Sequence, residues 1–358
     1  ILAIGELGKE KGIDPELLFQ AVEEALVTAY KKNFGSNQNV RVDMNKVTGE
    51  LHIYAQRHIV AEVGDDPNEI SLEEARKIDP RYEVDDIVET EVTPRNFGRI
   101  AAQNAKQVVV QRIREAERGM VFEKFSSREN DIVTGIIQRM ENKNVYIDLG
   151  KAEAILTPNE QIPGEIYQYH DRMKTYIVEV KKTSKGPQIM VSRTHPGLLK
   201  RLFELEVPEI HDGLVEIKSV AREPGMRSKI SVYTKDENID PVGACVGHKG
   251  MRVQTIVNEL RGEKIDIVKY SSEPDQYVAN ALSPAKVVST EVLEEEKICR
   301  VIVPDYQLSL AIGKEGQNAR LAAKLTGWKI DIKSESQAAE EAEQGAQEVG
   351  VAYEADED

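Results

Sequence analysis

The sequence is poor in the residues that build disulfide frameworks and metal sites. Its 358 residues include only two cysteines, Cys245 and Cys299, and both sit in apolar stretches without metal-ligand spacing. The six histidines are scattered and contain no H-x-x-x-H pair, so we expect no metal site and no cofactor. We therefore expect both cysteines to be reduced core residues of a cytoplasmic protein.

Long hydrophobic runs are missing as well. No stretch reaches the roughly 18 consecutive apolar residues that a membrane-spanning helix needs, and no secretory signal is visible. A chain of 358 residues is long enough for about two to four domains of ordinary size. The sequence thus favours a multidomain cytoplasmic protein with no membrane partner.

Acidic residues dominate the chain, but they are unevenly placed. The formal net charge is −15, and residues 334–358 alone carry nine acids and no base. Residues 62–91 hold twelve acids against three bases, whereas residues 94–128 hold eight bases against three acids. Because charge is segregated, local patches rather than the total decide what the protein binds. A nucleic-acid ligand is therefore not excluded.

Two glycine quartets, 66 residues apart, follow one pattern, and each is followed by a helix and the string Lys-Ile-Asp-Ile. Two glycines three apart allow a sharp turn between helices, and their missing Cβ atoms let a sugar-phosphate chain reach backbone N–H groups. That is the clamp of a KH domain, which holds about four nucleotides of single-stranded nucleic acid. The residues predicted to bind RNA here are Gly247, His248, Lys249, Gly250, Arg252, Gly313, Lys314, Glu315, Gly316 and Asn318.

Other phosphate-binding motifs do not fit the quartets. The tight Gly-x-Gly of the dinucleotide motif is absent. Lys249 and Lys314 are followed by Gly and Glu, so neither supplies the Ser/Thr hydroxyl of a nucleotide triphosphate loop. An internal helical hairpin with glycine turns and no ligand is the simpler alternative.

Residues 1–127 are predicted to form an N-terminal αβ domain with a helix over 15–32, a hairpin of strands 40–44 and 51–58, and a long helix over 96–125. The long helix combines one apolar stripe with many basic residues. These are interpreted either as a solvated face or as a docking surface for a large acidic partner or nascent RNA. The candidate contact residues on such a docking surface are Arg99, Lys106, Arg112, Arg114 and Arg118.

Residues 130–195 read as five short strands with a longer crossover between the third and fourth, which is the plan of an S1-type OB-fold barrel. Alternation in the second strand turns Tyr146 outward, beside Arg139 and Lys143. A base could stack there, although a merely exposed tyrosine fits equally well. The segment resembles the S1 RNA-binding family, but Thr157 stands where that family often has a histidine.

The rest of the chain repeats one order of elements. Residues 197–272 and 273–335 each read as α-β-β-α-α-β, the type II KH arrangement, around one glycine quartet. Residues 336–358 are rich in Ala, Glu and Gln and are expected to form an acidic, disordered tail. The predicted fold class is thus multidomain α+β.

An N-terminal αβ unit followed by S1 and two type II KH units resembles the NusA family of bacterial transcription factors. The strings at 219–229 and 281–286 carry the resemblance further. It implies binding of RNA polymerase core through the N-terminal domain near the flap and RNA exit channel, and of nascent single-stranded RNA through S1–KH–KH. It also implies contact with other elongation and antitermination factors, and control of pausing, termination and antitermination. Functions of the acidic repeat domains that some members carry are not implied.

Two other classes of protein combine such modules. A phosphorolytic exoribonuclease places KH before S1 and needs large catalytic domains. Here only about 125 residues precede S1, and they show no paired carboxylates at metal-binding spacing, so we expect a protein that is not an enzyme. We also expect it to be a monomer. A ribosomal or ribosome-assembly RNA-binding protein is the alternative function. Co-purification with polymerase or with the small ribosomal subunit separates the two.

Overall fold

The computed structural model describes residues 2–34, 37–46, 48–64 and 66–341. The chain divides into two compact units between Glu123 and Lys124. Of the helices in the described ranges, none combines the length and apolar character needed to cross a membrane. Cys245 and Cys299 are both buried free thiols, as predicted.

The N-terminal unit is a small sheet covered by helices. Its elements are α1 (Leu2–Lys11), α2 (Pro15–Phe34), β1 (Asn39–Met44), β2 (Leu51–Val60), β3 (Glu69–Ser71), α3 (Leu72–Ile78), β4 (Ile87–Glu91) and α4 (Phe97–Ser126). β2 pairs with β1, β3 and β4. Alternate residues of β1 are buried, and they pack with Val22 and Leu26 of α2 and with Phe97 of α4. The predicted helices and hairpin strands are present; Val47, in the hairpin connection, lies outside the described residues.

The acidic stretch 62–91 is more ordered than its composition suggests. It contains β3, α3 and β4, which bury a second small cluster around Ile59, Ile70 and Val88. The Ser71 hydroxyl accepts a hydrogen bond from the Glu74 N–H and so caps α3. A strand of three residues and a helix of seven are too short to show a hydrophobic period, so the sequence did not predict them.

Five strands after α4 close into the predicted barrel. They are β5 (Ile132–Glu141), β6 (Asn144–Asp148), β7 (Glu153–Leu156), β8 (Arg172–Thr183) and β9 (Gly186–Ser192), in the order β5-β6-β7-β9-β8. Closure brings backbones close at Gly135, where a Cβ would lie 2.4 Å from Ile147 Cγ2 and 2.7 Å from the Asp148 carbonyl oxygen. Only glycine fits there.

Two similar α+β units follow, and they confirm the α-β-β-α-α-β order. The first has α5 (Pro196–Glu206), α6 (Pro208–His211), β10 (Glu216–Glu223), β11 (Arg227–Tyr233), α7 (Pro241–Val246), α8 (Met251–Glu259) and β12 (Lys264–Lys269). The second has α9 (Pro274–Ala281), β13 (Ser289–Leu293), β14 (Ile298–Val303), α10 (Leu308–Ile312), α11 (Gln317–Thr326) and β15 (Lys329–Ser334). In each, the first two strands are antiparallel and the third is parallel to the second.

The start of the expected disordered tail is helical, which corrects that expectation. Residues 335–341 form a helical segment, and residues 342–358 lie outside the described residues. The segment is anchored because Ser336 donates from its N–H and its hydroxyl to the Asp305 carboxylate, at 3.2 and 2.8 Å. Hydrogen bonds from Ser334 and Ser336 hold the pKa of Asp305 below its ordinary value.

A buried arginine joins the barrel to the first KH domain. The Arg193 side chain is 1% exposed and pairs with the equally buried Glu165 in the barrel. Arg193 also donates to the Lys174 carbonyl at 2.9 Å and to the Glu259 carbonyl, at the end of α8, at 3.1 Å. The barrel and the first KH domain are therefore in fixed contact.

The two KH domains are also packed together. Lys229 of β11 donates to the Asp266 carboxylate at 2.9 Å and to the Ser283 carbonyl, after α9, at 2.8 Å. The Tyr277 hydroxyl on α9 donates to Ser231 Oγ at 2.8 Å. Barrel and KH domains therefore belong to one compact unit rather than to beads on a flexible string.

Candidate nucleic-acid interface

The two glycine quartets adopt the same backbone despite different central residues. Gly247 has φ 74° and ψ 175°, and Gly313 has φ 79° and ψ 170°, a region that only glycine adopts without strain. The third residues are left-handed, with φ 51° at Lys249 and 55° at Glu315. Both quartets therefore form one kind of loop between two helices.

The first glycine of each quartet is also required for space. A Cβ on Gly247 would lie 2.7 Å from Arg252 Cγ, and a Cβ on Gly313 would lie 2.7 Å from the backbone nitrogen of Asn318. The fourth glycine faces open space, since nothing lies within 4 Å of a Cβ on Gly316. In each loop the residue five positions after the first glycine packs against it.

Arg252 and Asn318, both predicted as RNA ligands, form hydrogen bonds within the protein. Arg252 Nη1 donates to Glu209 Oε2 at 2.9 Å and to the Ala244 carbonyl at 2.6 Å. Asn318 is 4% exposed, and its Nδ2 donates to the Leu282 and Ala311 carbonyls, both at 3.0 Å. Each side chain therefore supports its own glycine loop through hydrogen bonds within the domain.

The front of each loop presents charged side chains to solvent. His248 and Lys249 are exposed in the first loop, and Lys314 and Glu315 in the second. The helices α8 and α11 begin directly after the loops, so their first N–H groups and positive dipole ends lie beside these side chains. The first loop offers two possible cations, whereas Glu315 offsets Lys314 in the second.

On the barrel, the predicted stacking residue is partly covered. Tyr146 is half-buried, and the Arg139 guanidinium carbon lies 3.9 Å from its ring centroid. Arg139 also pairs with Glu141 at 2.7 Å and with Glu153 at 2.8 Å. Lys143 is exposed in the turn before β6. Arg139 and Tyr146 therefore meet on one surface, but one face of the Tyr146 ring is occupied by Arg139.

The basic residues predicted on the long helix are all exposed on α4. They do not form one patch. With 3.6 residues per turn, four of them fall on one side of the helix, namely Arg99, Lys106, Arg114 and Arg118. Arg112 points elsewhere, pairs with Glu115 at 3.1 Å, and lines a cavity of about 370 Å³ together with Leu17 and Leu18 of the neighbouring α2.

One contact at the second loop was not predicted from the sequence. Arg320 Nη1 donates to the Glu315 carbonyl at 3.1 Å, and Nε donates to Glu223 Oε1, at the end of β10, at 2.6 Å. The hydrogen bond from Arg320 lowers the pKa of Glu223. The only sequence signal was that Arg320 has no basic counterpart at Gln254, 66 residues earlier.

Comparison with known families agrees with this architecture. Family models match residues 1–119 (NusA N-terminal domain), 126–192 (S1 RNA binding domain), 193–270 (NusA-like first KH domain) and 274–340 (NusA-like second KH domain). Together, the fold and the glycine loops define a multidomain protein in which RNA-binding domains follow a distinct N-terminal domain in the sequence.

Relatives that match more than nine tenths of this chain show the family to which it belongs. A protein from Halalkalibacterium halodurans is 66% identical over 338 residues, which are 94% of this chain and 88% of the relative. A Bacillus subtilis protein is 66% identical, with 94% and 91% covered, and one from Thermus thermophilus is 42% identical, with 92% and 88% covered. All three are named transcription termination/antitermination protein NusA. This chain belongs to the NusA family.

Proposed function

We propose that this protein is a non-enzymatic transcription factor that binds RNA polymerase and nascent single-stranded RNA and thereby modulates pausing, termination and antitermination. The observation that carries the proposal is the shared backbone of the two glycine loops in a chain of the NusA family. The central residues of the two loops differ, but their backbones have the same strained geometry. Two loops of equal shape are what a regular phosphate chain requires if it contacts the protein at both of them.

RNA lies against both loops and the barrel in this proposal. Phosphates approach the N–H groups at the starts of α8 and α11, next to His248, Lys249 and Lys314, and a base stacks beside Tyr146 and Lys143. Because barrel and KH domains share one compact unit, a strand held at one site reaches the next at high effective concentration. Arg139 covers one face of the Tyr146 ring, and its planar guanidinium group offers a further stacking surface.

The N-terminal unit binds RNA polymerase core near the flap and the RNA exit channel. Support comes from the match to the NusA N-terminal domain and from the side of α4 that carries Arg99, Lys106, Arg114 and Arg118. The protein acts in the cytoplasm as a monomer, alongside other elongation and antitermination factors. The domain limits proposed are 1–127, 130–195, 197–272 and 273–335, with 336–358 as an acidic extension.

The test is the half-life of a defined transcriptional pause, measured with purified polymerase with and without the full chain and with residues 124–341 alone. The full chain is expected to change the half-life, and the fragment without the N-terminal unit is expected to lose most of the effect. No change with the full chain would overturn the proposal. Co-purification with the small ribosomal subunit instead of polymerase would favour the ribosomal alternative.

A further inference from the structure

The second KH domain carries an unusually exposed aromatic side chain. Tyr306 is 82% exposed, more than any other large apolar side chain in the described part of the chain. It lies in the short turn Asp305–Gln307 before α10, and Leu310, one helical turn further, is 46% exposed. Helix α10 runs directly from the turn that carries Tyr306 to Gly313, the first residue of the second glycine loop.

The turn that carries Tyr306 is held by hydrogen bonds to neighbouring segments. The Gln307 side chain donates from Nε2 to the Tyr306 hydroxyl at 3.3 Å and accepts from the Lys286 N–H at Oε1 at 2.6 Å. Lys286 is exposed, and nearby Val288 is 55% exposed. The neighbouring carboxylate of Asp305 is held by Ser336. Within the described ranges, neither Lys286 nor Lys314 has a carboxylate at ion-pair distance.

We infer that Tyr306 and Leu310 form a stacking site for a base of single-stranded RNA, next to the nucleotides held by the second glycine loop, with Lys286 beside the phosphate. The inference rests on the proposed function. Continuity with the loop favours RNA over a protein partner, because an exposed aromatic ring next to a phosphate-binding loop fits a base.

The first KH domain has no such site. At the position corresponding to Tyr306, 66 residues earlier, stands Asp240, which caps α7 by accepting from the Val242 N–H at 3.1 Å. The first loop holds RNA with His248 and Lys249, whereas Glu315 weakens the charge of the second. In the second KH domain, stacking on Tyr306 adds the RNA affinity that positive charge adds in the first loop.

The test measures RNA affinity of the full chain at several salt concentrations. Tyr306→Ala is expected to lower affinity about fivefold or more, the lower end of what one stacked base contributes. The salt dependence should not change, because no phosphate contact is lost. Tyr306→Phe should retain affinity, since the ring is kept. Leu205→Ala, which removes an apolar side chain of 63% exposure on α5, is the matched control.

Three results would overturn the inference. Wild-type protein that fails to bind RNA overturns the proposed function together with this site. Binding by wild type and equal binding by Tyr306→Ala overturns the stacking site alone. If Tyr306→Ala keeps RNA affinity but loses co-purification with polymerase, the surface serves a protein partner instead. Equal melting temperatures verify that the exposed substitution left the fold intact.

Discussion

The Arg320 guanidinium in the second KH domain binds the Glu223 carboxylate in the first at 2.6 Å and the Glu315 carbonyl in the second glycine loop at 3.1 Å. Gln317, the first residue of α11, donates to the other oxygen of Glu223 at 2.8 Å. The second loop is therefore held against the sheet of the first KH domain. A strand of RNA that occupies both loops meets them at a fixed separation.

Arg320→Ala should weaken the binding of an RNA that spans both loops more than the binding of one that fills a single loop. The reason is that fixed separation, and hence effective concentration, matters only for the longer strand. The pair is partly exposed, so the melting temperature should change little. Arg300→Ala, which removes an exposed pair with Glu291 at 3.5 Å, is the control for fluorescence-anisotropy titrations. Similar affinities of both variants for the long RNA would contradict this role.

Gly313→Ala should destabilise the protein more than Gly316→Ala. The second change places alanine in the left-handed region, which costs about 1–2 kcal/mol. The first adds a Cβ 2.7 Å from the Asn318 backbone nitrogen, in a region of φ and ψ that only glycine adopts. Urea unfolding measures both variants. Equal losses of stability would mean that the second loop relaxes more easily than its packing indicates.

Lys249→Ala should flatten the salt dependence of RNA binding more than Lys314→Ala. Each lost phosphate contact on a single strand lowers the slope of log affinity against log salt by about 0.7. Lys249 acts beside His248, whereas the charge of Lys314 is offset by Glu315, so the second contact is weaker. Titrations over a range of salt concentrations give both slopes. Identical slopes would show that the loops share the phosphate contacts equally.

Glu263→Gln should lower stability at neutral pH by about 3–5 kcal/mol, because the buried charge of Arg222 then has no carboxylate to balance it. Arg222 Nε and Nη2 each donate to a Glu263 oxygen at 2.8 Å, and both side chains are at most 1% exposed. Glu216→Gln, at an exposed pair with Lys218, should have little effect on the melting temperature.

Acid should remove the contribution of Glu263. Burial by itself raises the pKa of Glu263, but hydrogen bonds from Arg222, Ser228 and the Gly225 N–H outweigh it and hold the pKa below the ordinary value of 4.5. A lowered folded-state pKa means that the stabilisation is complete above 4.5 and is lost as the pH falls through the folded-state value. The melting temperature of wild type should therefore fall more steeply on acidification than that of Glu263→Gln. Parallel curves would contradict the assignment.

Structural elements that follow from local or repeated sequence patterns could be predicted. Contacts between residues that are distant in the sequence could not. The duplicated glycine loops and the five strands of the barrel follow from local patterns, so their elements were placed within a few residues. Asn318 looked like a ligand because it stands just after a glycine quartet, yet its amide is used by the Leu282 and Ala311 carbonyls. The contact between Arg320 and Glu223 joins residues 97 positions apart, which no local pattern shows.

The most direct test of the RNA-binding account is the affinity of the full chain for single-stranded RNA, with and without His248→Asp combined with Lys249→Asp. The two exposed carboxylates repel phosphates at the front of the first loop without touching its glycines or the Arg252 contact. Affinity is expected to fall at least about tenfold, equivalent to about 1.4 kcal/mol, with an unchanged circular dichroism spectrum. Undiminished affinity in the folded variant would contradict the account.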